Sequence, residues 1–379
     1  MSNARRLSLA RTLAIFLKEL IQMRRDRLTL AMMVGIPLVQ LVLFGFAINT
    51  DPKALPSYVK VEESSRFSRA LLAGLVNSGY YRIDGSIATD AAGARLLQDG
   101  KASFVVTIPA GFERSILRGE TAKLIVEADA SDPAVASNAI GALNEIAAQS
   151  LAGELSGALA PRQEGPAVEV VVHRLYNPEG ITQYNIVPGL IGTILTMTTV
   201  LSTALALTRE SERGTMENLL AMPAQPAEIM IGKITPYIGL GFVQVAVILI
   251  MSKLVFHVPM VGSLALLALG LLLFIATNVT VGYLFSTLAR NQMQAMQMTF
   301  FYFLPSLLLS GFMFPFRGMP EWAQWIGGFL PLTHFLRVVR GVLLKGAPFA
   351  SIAPELGAIL LFFGGVALLT LLRFRRTLD

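Results

Sequence analysis

The 379-residue sequence contains no cysteine, which removes thiol nucleophiles, thiolate metal ligands and disulfide staples together. Its three histidines, His173, His257 and His334, are scattered and form no HExxH pair, so no zinc or hydrolytic centre is expected. No GxxxxGK[ST] loop is present to cradle phosphates, and the chain by itself is not expected to hydrolyse ATP. Charge is scarce too: 15% of residues are charged against 54% hydrophobic, and the mean hydropathy is +0.60. A soluble chain of this size is less apolar than that, and the class that remains is a polytopic helical membrane protein.

A membrane-crossing helix needs about 20 mostly apolar residues. Six stretches meet that length: 28–49, 184–208, 229–251, 264–288, 295–314 and 352–372. Basic residues flank several of them. Arg24, Arg25 and Arg27 precede the first, Arg209 and Arg213 follow the second, and Arg373, Arg375 and Arg376 follow the sixth. The excess of Lys and Arg on cytoplasmic flanks therefore puts both termini inside. Residues 50–183 then lie outside, and they hold 16 of the 25 acidic residues but 12 of the 31 basic ones. The net charge of +6 is thus a topological imbalance, and no nucleic-acid partner is expected from it.

Residues 1–27 carry Leu9, Leu13, Phe16, Leu17, Leu20 and Ile21 among Arg11, Lys18, Glu19, Arg24 and Arg25 at helical spacing. That pattern reads as an amphipathic elbow helix on the cytoplasmic surface, not a cleaved signal peptide. In 50–183, short apolar runs alternate with helical patterns, as in a folded α/β domain. Strands are expected at 58–61, 80–83, 102–108, 123–127 and 168–173, and helices at 65–77, 89–98 and 133–159. Thr89 is a candidate N-cap for the second helix. One flank opposes the parity of the spans: Arg317, Arg337, Arg340 and Lys345 lie between the fifth and sixth. The pieces 321–329 and 332–344, split by Pro331, are too short and too basic to span, so 317–346 reads as an outer re-entrant hairpin or, alternatively, an ordinary loop.

No cluster of Asp, Glu or Lys of the kind an ion-coupled carrier uses lies within the spans, and Glu355 near the start of the sixth is expected at the interface. Hydroxyls and amides are more frequent: Thr193, Thr196, Thr198, Thr199, Ser202 and Thr203 in the second span, Gln244 in the third, Thr277, Asn278 and Thr280 in the fourth, and Gln292, Gln294 and Gln297 around the start of the fifth. Such groups either line a path or join helices. The charged run Arg209-Glu210-Ser211-Glu212-Arg213-Gly214-Thr215-Met216-Glu217, followed by Asn218-Leu219-Leu220, sits between two spans and must lie in water at a membrane face. If that face is cytoplasmic, it is a surface on which a soluble partner can push.

Several features together resemble the permease subunits of ABC-2-type exporters. They are the elbow, the large outer domain after the first span, Asn185-Ile186-Val187-Pro188-Gly189 opening the second, and the charged insert. A late string, Phe314-Pro315, Met319-Pro320, Pro331-Leu332-Thr333-His334-Phe335-Leu336 and Arg340-Gly341, completes them. The resemblance covers essentially the whole chain, and the outer domain points to the drug-export branch. It implies six transmembrane helices with both termini inside, an extracytoplasmic α/β domain between the first two (50–183), and 184–379 as the remaining spans, similar to type V ABC exporters. It further implies a half-transporter in a bacterial inner membrane, pairing with a second permease copy or paralogue and with a separate ATP-binding subunit that holds ATP and Mg. A periplasmic membrane-fusion adaptor is a further possible partner.

In that family the insert is a coupling helix (209–221 here) docked on the ATP-binding subunit, which maps the role onto Arg209, Glu210, Glu212, Arg213, Gly214, Thr215 and Glu217. The outer re-entrant helix carries His334, Arg337 and Arg340. Cargo of the drug-like, hydrophobic or amphiphilic kind is expected, and no catalytic or metal residue. The rival reading is a membrane-anchored envelope protein whose outer domain binds a ligand or partner.

Overall fold

The computed structural model describes residues 52–155, 166–212 and 226–376. The elbow and the first expected span lie outside them. Strand alternation sets the first layer. Strand β1 (Leu55–Val61) leads into α1 (Arg66–Asn77), β2 (Tyr81–Ser86), α2 (Asp90–Gln98), β3 (Phe104–Ile108), α3 (Phe112–Leu117), β4 (Ala122–Asp129), α4 (Pro133–Ala152) and β5 (Val168–Leu175). The five strands form one mixed sheet in the order β2-β1-β3-β4-β5, with β3 and β4 antiparallel and the other neighbours parallel.

One face of the sheet is fixed by period-two burial. Ala122, Leu124, Val126 and Ala128 of β4 point inward with Phe104, Val106 and Ile108 of β3. Against them α1 presents Phe67, Leu71 and Leu75, four residues apart and all fully buried. A capping box holds the start of α1: Ser68 N donates to Ser65 Oγ at 3.1 Å and Ser65 N to Ser68 Oγ at 2.7 Å. Helix α4 covers the same face through Ala139, Leu143 and Ala147. Tyr81 stacks edge-on against Phe104 at 5.1 Å and donates its hydroxyl to Ala139 O at 2.6 Å. On the opposite face Leu97 of α2 packs with Ala102 and Val105. Thr89 caps α2, accepting from Ala92 N at 3.3 Å. The sequence gives no warning of α3, which starts after Gly111 at φ +83°, and α4 ends at Ala152, short of 159.

The second layer is helical: α5 (Thr182–Glu212), α6 (Pro226–Leu254), α7 (Leu264–Leu288), α8 (Gln292–Leu309), a 3-10 turn (Phe316–Gly318), α9 (Glu321–Phe329), α10 (Pro331–Lys345) and α11 (Phe349–Arg376). Among the described residues three helices are long and apolar enough to cross a membrane, within α5, α7 and α11, or four if α9 and α10 count as one. Those three contain the expected second, fourth and sixth spans. For the third, the apolar stretch Ile238–Leu254 is a shorter helical piece of α6.

The fifth span is corrected. Helix α8 stops at Leu309, because Ser310 caps it and Gly311 turns at φ +85°, so residues 310–314 are not helical. The second span and the charged insert are also divided differently, since nothing between Thr208 and Glu212 breaks the helix and α5 runs on through Arg209 and Glu212.

Helices α9 and α10 meet at 82°, where Pro331 opens α10. Despite its basic residues, α10 is the helix around which the others pack. Leu332, Phe335, Leu336, Val339 and Leu343 are buried together with Ile191 and Leu195 of α5, Phe274 and Ile275 of α7, and Ile352 and Leu356 of α11. Phe335 stacks face to face on Phe274, centroids 4.1 Å apart. Small residues permit this closeness. A Cβ on Gly192 would come within 2.7 Å of Leu332, and one on Gly282 within 2.6 Å of the backbone oxygen of Val200.

Gly282→Leu must therefore push α5 and α7 apart, and it should lower stability by about 1–3 kcal/mol, the usual range for overpacking. Gly364→Ala faces open space and should leave the thermal midpoint in detergent unchanged. Equal midpoints for both variants would refute the close approach.

Candidate transport and coupling site

The two layers meet where loops at one end of the sheet rest on the α9–α10 hairpin and the start of α11. Arg317, in the turn before α9, donates from Nη1 to Ser103 Oγ at 2.6 Å and from Nη2 to Gly100 O. Lys345, closing α10, donates from Nζ to the Asp129 carboxylate and to Leu97 O at 3.1 Å. This pair is nearly sealed, at 8% and 15% side-chain exposure. The same ammonium lies 5.2 Å over the Tyr176 ring, whose hydroxyl pKa is pushed up to about 12 by burial and by Asp129, Glu127 and Asp99. Ser351 Oγ donates to Asp99, and Asn185 Nδ2 of α5 donates to Asp132 at 3.1 Å. Burial holds the Arg317 guanidinium below its ordinary pKa, with Asp129 acting in the opposite direction.

Between the layers lies a cavity of about 310 Å³, with Asp99, Asp129, Arg317, Arg337, Arg340 and Glu355 in its wall. The structure brings two of the three basic residues expected on the re-entrant helix, Arg337 and Arg340, into this wall. His334 stands behind it: Nδ1 is 2.5 Å from Glu355 Oε2 and Nε2 is 2.7 Å from Gly328 O. The ring is thus held between a carboxylate and a backbone carbonyl. Arg337 Nη1 donates to Glu355 Oε1 at 3.2 Å, its guanidinium 4.8 Å over the Phe316 ring. Glu355 is thus engaged from two sides. Arg340 donates from Nη1 to Gly311 O at 3.2 Å, whereas its buried Nε and Nη2 have no partner among the described residues.

The polar residues expected along a path or at a helix interface divide. Thr196 donates back to Gly192 O at 2.8 Å and Thr199 to Leu195 O, so both hydroxyls are spent inside α5. Gln294 accepts from Arg290 N at 2.9 Å at the head of α8, and Ser202 is half-buried on α5. Thr203 Oγ1, Asn278 Oδ1 and Gln297 Oε1 are buried without a partner among the described residues, one each on α5, α7 and α8. Thr198, of the same hydroxyl-rich span, donates to Gln244 Oε1 of α6 at 3.0 Å and so joins two helices.

At the far end of α5, the Glu212 carboxylate accepts from Gln292 N at 2.7 Å and from Gln292 Nε2 at 2.6 Å, while Arg209 Nε donates to Gln292 Oε1 at 3.4 Å. The head of α8 is thereby latched to the foot of α5. Arg213, Gly214, Thr215 and Glu217 lie outside the described residues, as does the side chain of Glu210.

A family model described as "ABC-2 family transporter protein" matches residues 27–372. The chain belongs to this family. Among its relatives is the probable multidrug ABC transporter permease YbhS of Escherichia coli (strain K12), 31% identical over 98% of this chain and 99% of that one. The probable multidrug ABC transporter permease YbhR of the same strain is 28% identical over 87% of this chain and 89% of the other. The inner membrane transport permease YhhJ is 31% identical over 74% and 75%. A solved domain of a putative ABC type-2 transporter from Thermotoga maritima aligns with 31% of this chain and 84% of that chain, at 20% identity and a TM-score of 0.24.

Sequence reasoning missed the part that Asp129, Asp99 and Ser103 play, because their partners lie more than 200 residues away. Lys345→Met strands Asp129 at a buried position, so it should cost about 3 kcal/mol and speed amide hydrogen exchange in β4, β5 and the end of α10. Adding Asp129→Asn should recover part of that loss. Unchanged exchange in Lys345→Met would show that the pair does not join the layers.

Proposed function

We propose that this ABC-2 chain is the membrane-spanning permease subunit of an ATP-driven exporter, moving hydrophobic or amphiphilic molecules out of the cytoplasm or the inner leaflet. ATP is hydrolysed by a separate subunit that binds Mg and ATP. Six spans with both termini inside, the sheet layer on the outer side, residence in a bacterial inner membrane and assembly with a second permease belong to the same reading, and a membrane-fusion adaptor is an optional outer partner. The relatives named as probable multidrug ABC transporter permeases support a drug-like cargo.

The observation that carries the coupling assignment is the foot of α5. A helix whose body packs against α7 and α10 ends in Arg209 and Glu212, with Glu212 gripping the head of α8. Force applied to the charged run beyond Glu212 therefore reaches two helices at once. A partner that binds the run differently in its two nucleotide states shifts the helices by that difference in binding energy, and charge-assisted bonds are the strong means of gripping it.

The tagged chain, purified in mild detergent from its own host, should bring an ATP-binding subunit with it. Glu212→Ala with Arg213→Ala should lose that subunit, or keep it while ATP hydrolysis no longer drives efflux, with the chain still folded. Unchanged efflux and unchanged co-purification in the double variant would remove the coupling role. No ATPase with the wild-type chain would overturn the exporter reading.

A further inference from the structure

The cavity between the layers is charged, with four cations and four carboxylates in its wall, and not all of them are paired. Lys345 is matched by Asp129, and Glu355 is matched by Arg337. Asp99 has Lys101 at 3.6 Å. That leaves Arg317 and Arg340 without an ion pair of their own, with Asp132 in the same wall. Neither guanidinium has a carboxylate within ion-pairing distance among the described residues. Arg317 is spent on a hydroxyl and a carbonyl, and Arg340 keeps Nε and Nη2 buried and unmatched. A guanidinium edge with two free N–H donors is the geometry that a phosphate or carboxylate meets with paired bonds. Burying such donors without an acceptor is costly, which is the signature of a site built for a group that supplies one.

A second cavity, of about 370 Å³, lies against the first and shares Asp132 with it. Its wall has an apolar stretch that the first lacks, Ile186, Phe312, Met313, Phe314 and Pro315, beside the polar Asp132, Ser137, Thr182 and Asn185. Ile186 and Met313 are 40% and 52% exposed, so this side opens to the surroundings. Gly189 stands where the two meet, since a Cβ there would lie 2.4 Å from the Phe312 ring and 3.7 Å from Arg340 Nη2.

We propose that the two cavities form one binding site for an anionic amphiphile, its phosphate or carboxylate head held by Arg340 and Arg317 and its apolar tail lying along Phe312 and Met313. Standing as a cargo site rests on the export reading. Binding itself is measured on the purified chain with no ATP-binding subunit present, so failure of the site and failure of the export reading are separate results.

The probes are dodecyl phosphate and inorganic phosphate, titrated by calorimetry into the full chain in a neutral maltoside detergent. Dodecyl phosphate should bind saturably, and Arg340→Gln should weaken it at least about tenfold, as expected for loss of a charge-assisted paired contact, with the thermal midpoint kept. Arg317→Gln is the second variant should Arg340→Gln fail to fold. In nanodiscs, competition by phosphatidylglycerol but not by phosphatidylcholine would identify the head as a lipid's; no competition by either would identify a non-lipid amphiphile. Inorganic phosphate binding as tightly as dodecyl phosphate would overturn the amphiphile. No saturable binding, or equal binding by folded variants and wild type, would overturn the site.

Discussion

Two cations, Arg317 and Lys345, have to be placed somewhere, and the rest of the arrangement follows from where. Each sits at an end of the α9–α10 hairpin, and each is largely shut off from water. A buried cation is tolerable only when acceptors surround it. Loops of the sheet layer provide them: the carbonyls of Gly100 and Leu97, the hydroxyl of Ser103 and the carboxylate of Asp129. The sheet layer and the hairpin are thereby fixed to each other by polar contacts, where flat apolar packing would leave their relative rotation loosely defined. Removing either cation leaves acceptors stranded on the other side. That makes the junction specific even where its net stabilising contribution is small.

Beneath that junction the hairpin does a second job. Helix α10 is wedged among α5, α7 and α11, with the stacked Phe274–Phe335 pair at its centre and glycines at 192, 270 and 282 letting the backbones approach. A shift of α5 thus moves α10, and α10 carries Arg337 and Arg340 in the cavity wall. The foot of α5 and the cavity beneath the sheet are linked through one packed helix. Packed cores shift between discrete arrangements more readily than they deform, so this connection suits the transmission of a mechanical change from one end of the helical layer to the other.

Much of this is legible in the sequence because the signals are local. The strands follow from β-branched runs such as Val168 to Val172, Thr89 is recognisable as a cap, and the second, fourth and sixth spans follow from length and composition alone. The fifth span extends too far in sequence terms because Phe312, Met313 and Phe314 continue the apolar run beyond Leu309, and hydropathy does not register the left-handed turn at Gly311. Helix α10 reads as part of an outer re-entrant hairpin, too basic to span, because it carries Arg337, Arg340 and Lys345. Its burial depends on Glu355, Asp129 and the carbonyl of Gly311, all on other elements, and no periodicity within the helix reveals them. The hydroxyl-rich second span reads equally as a path lining or a helix-joining face, and its composition does not reveal that most of its threonines satisfy themselves four residues back.

The absence of cysteine opens a direct measurement on the junction between the two layers. Asp99 and Ser351 touch across it, so Asp99→Cys with Ser351→Cys gives a chain whose sole thiols face each other. A short bifunctional thiol reagent applied to native membranes should join them nearly completely, and neither single variant should react beyond labelling. Both thiols staying separate while each remains open to labelling would contradict the seating of the sheet on the hairpin, and with it the shared cavity and its link to α10.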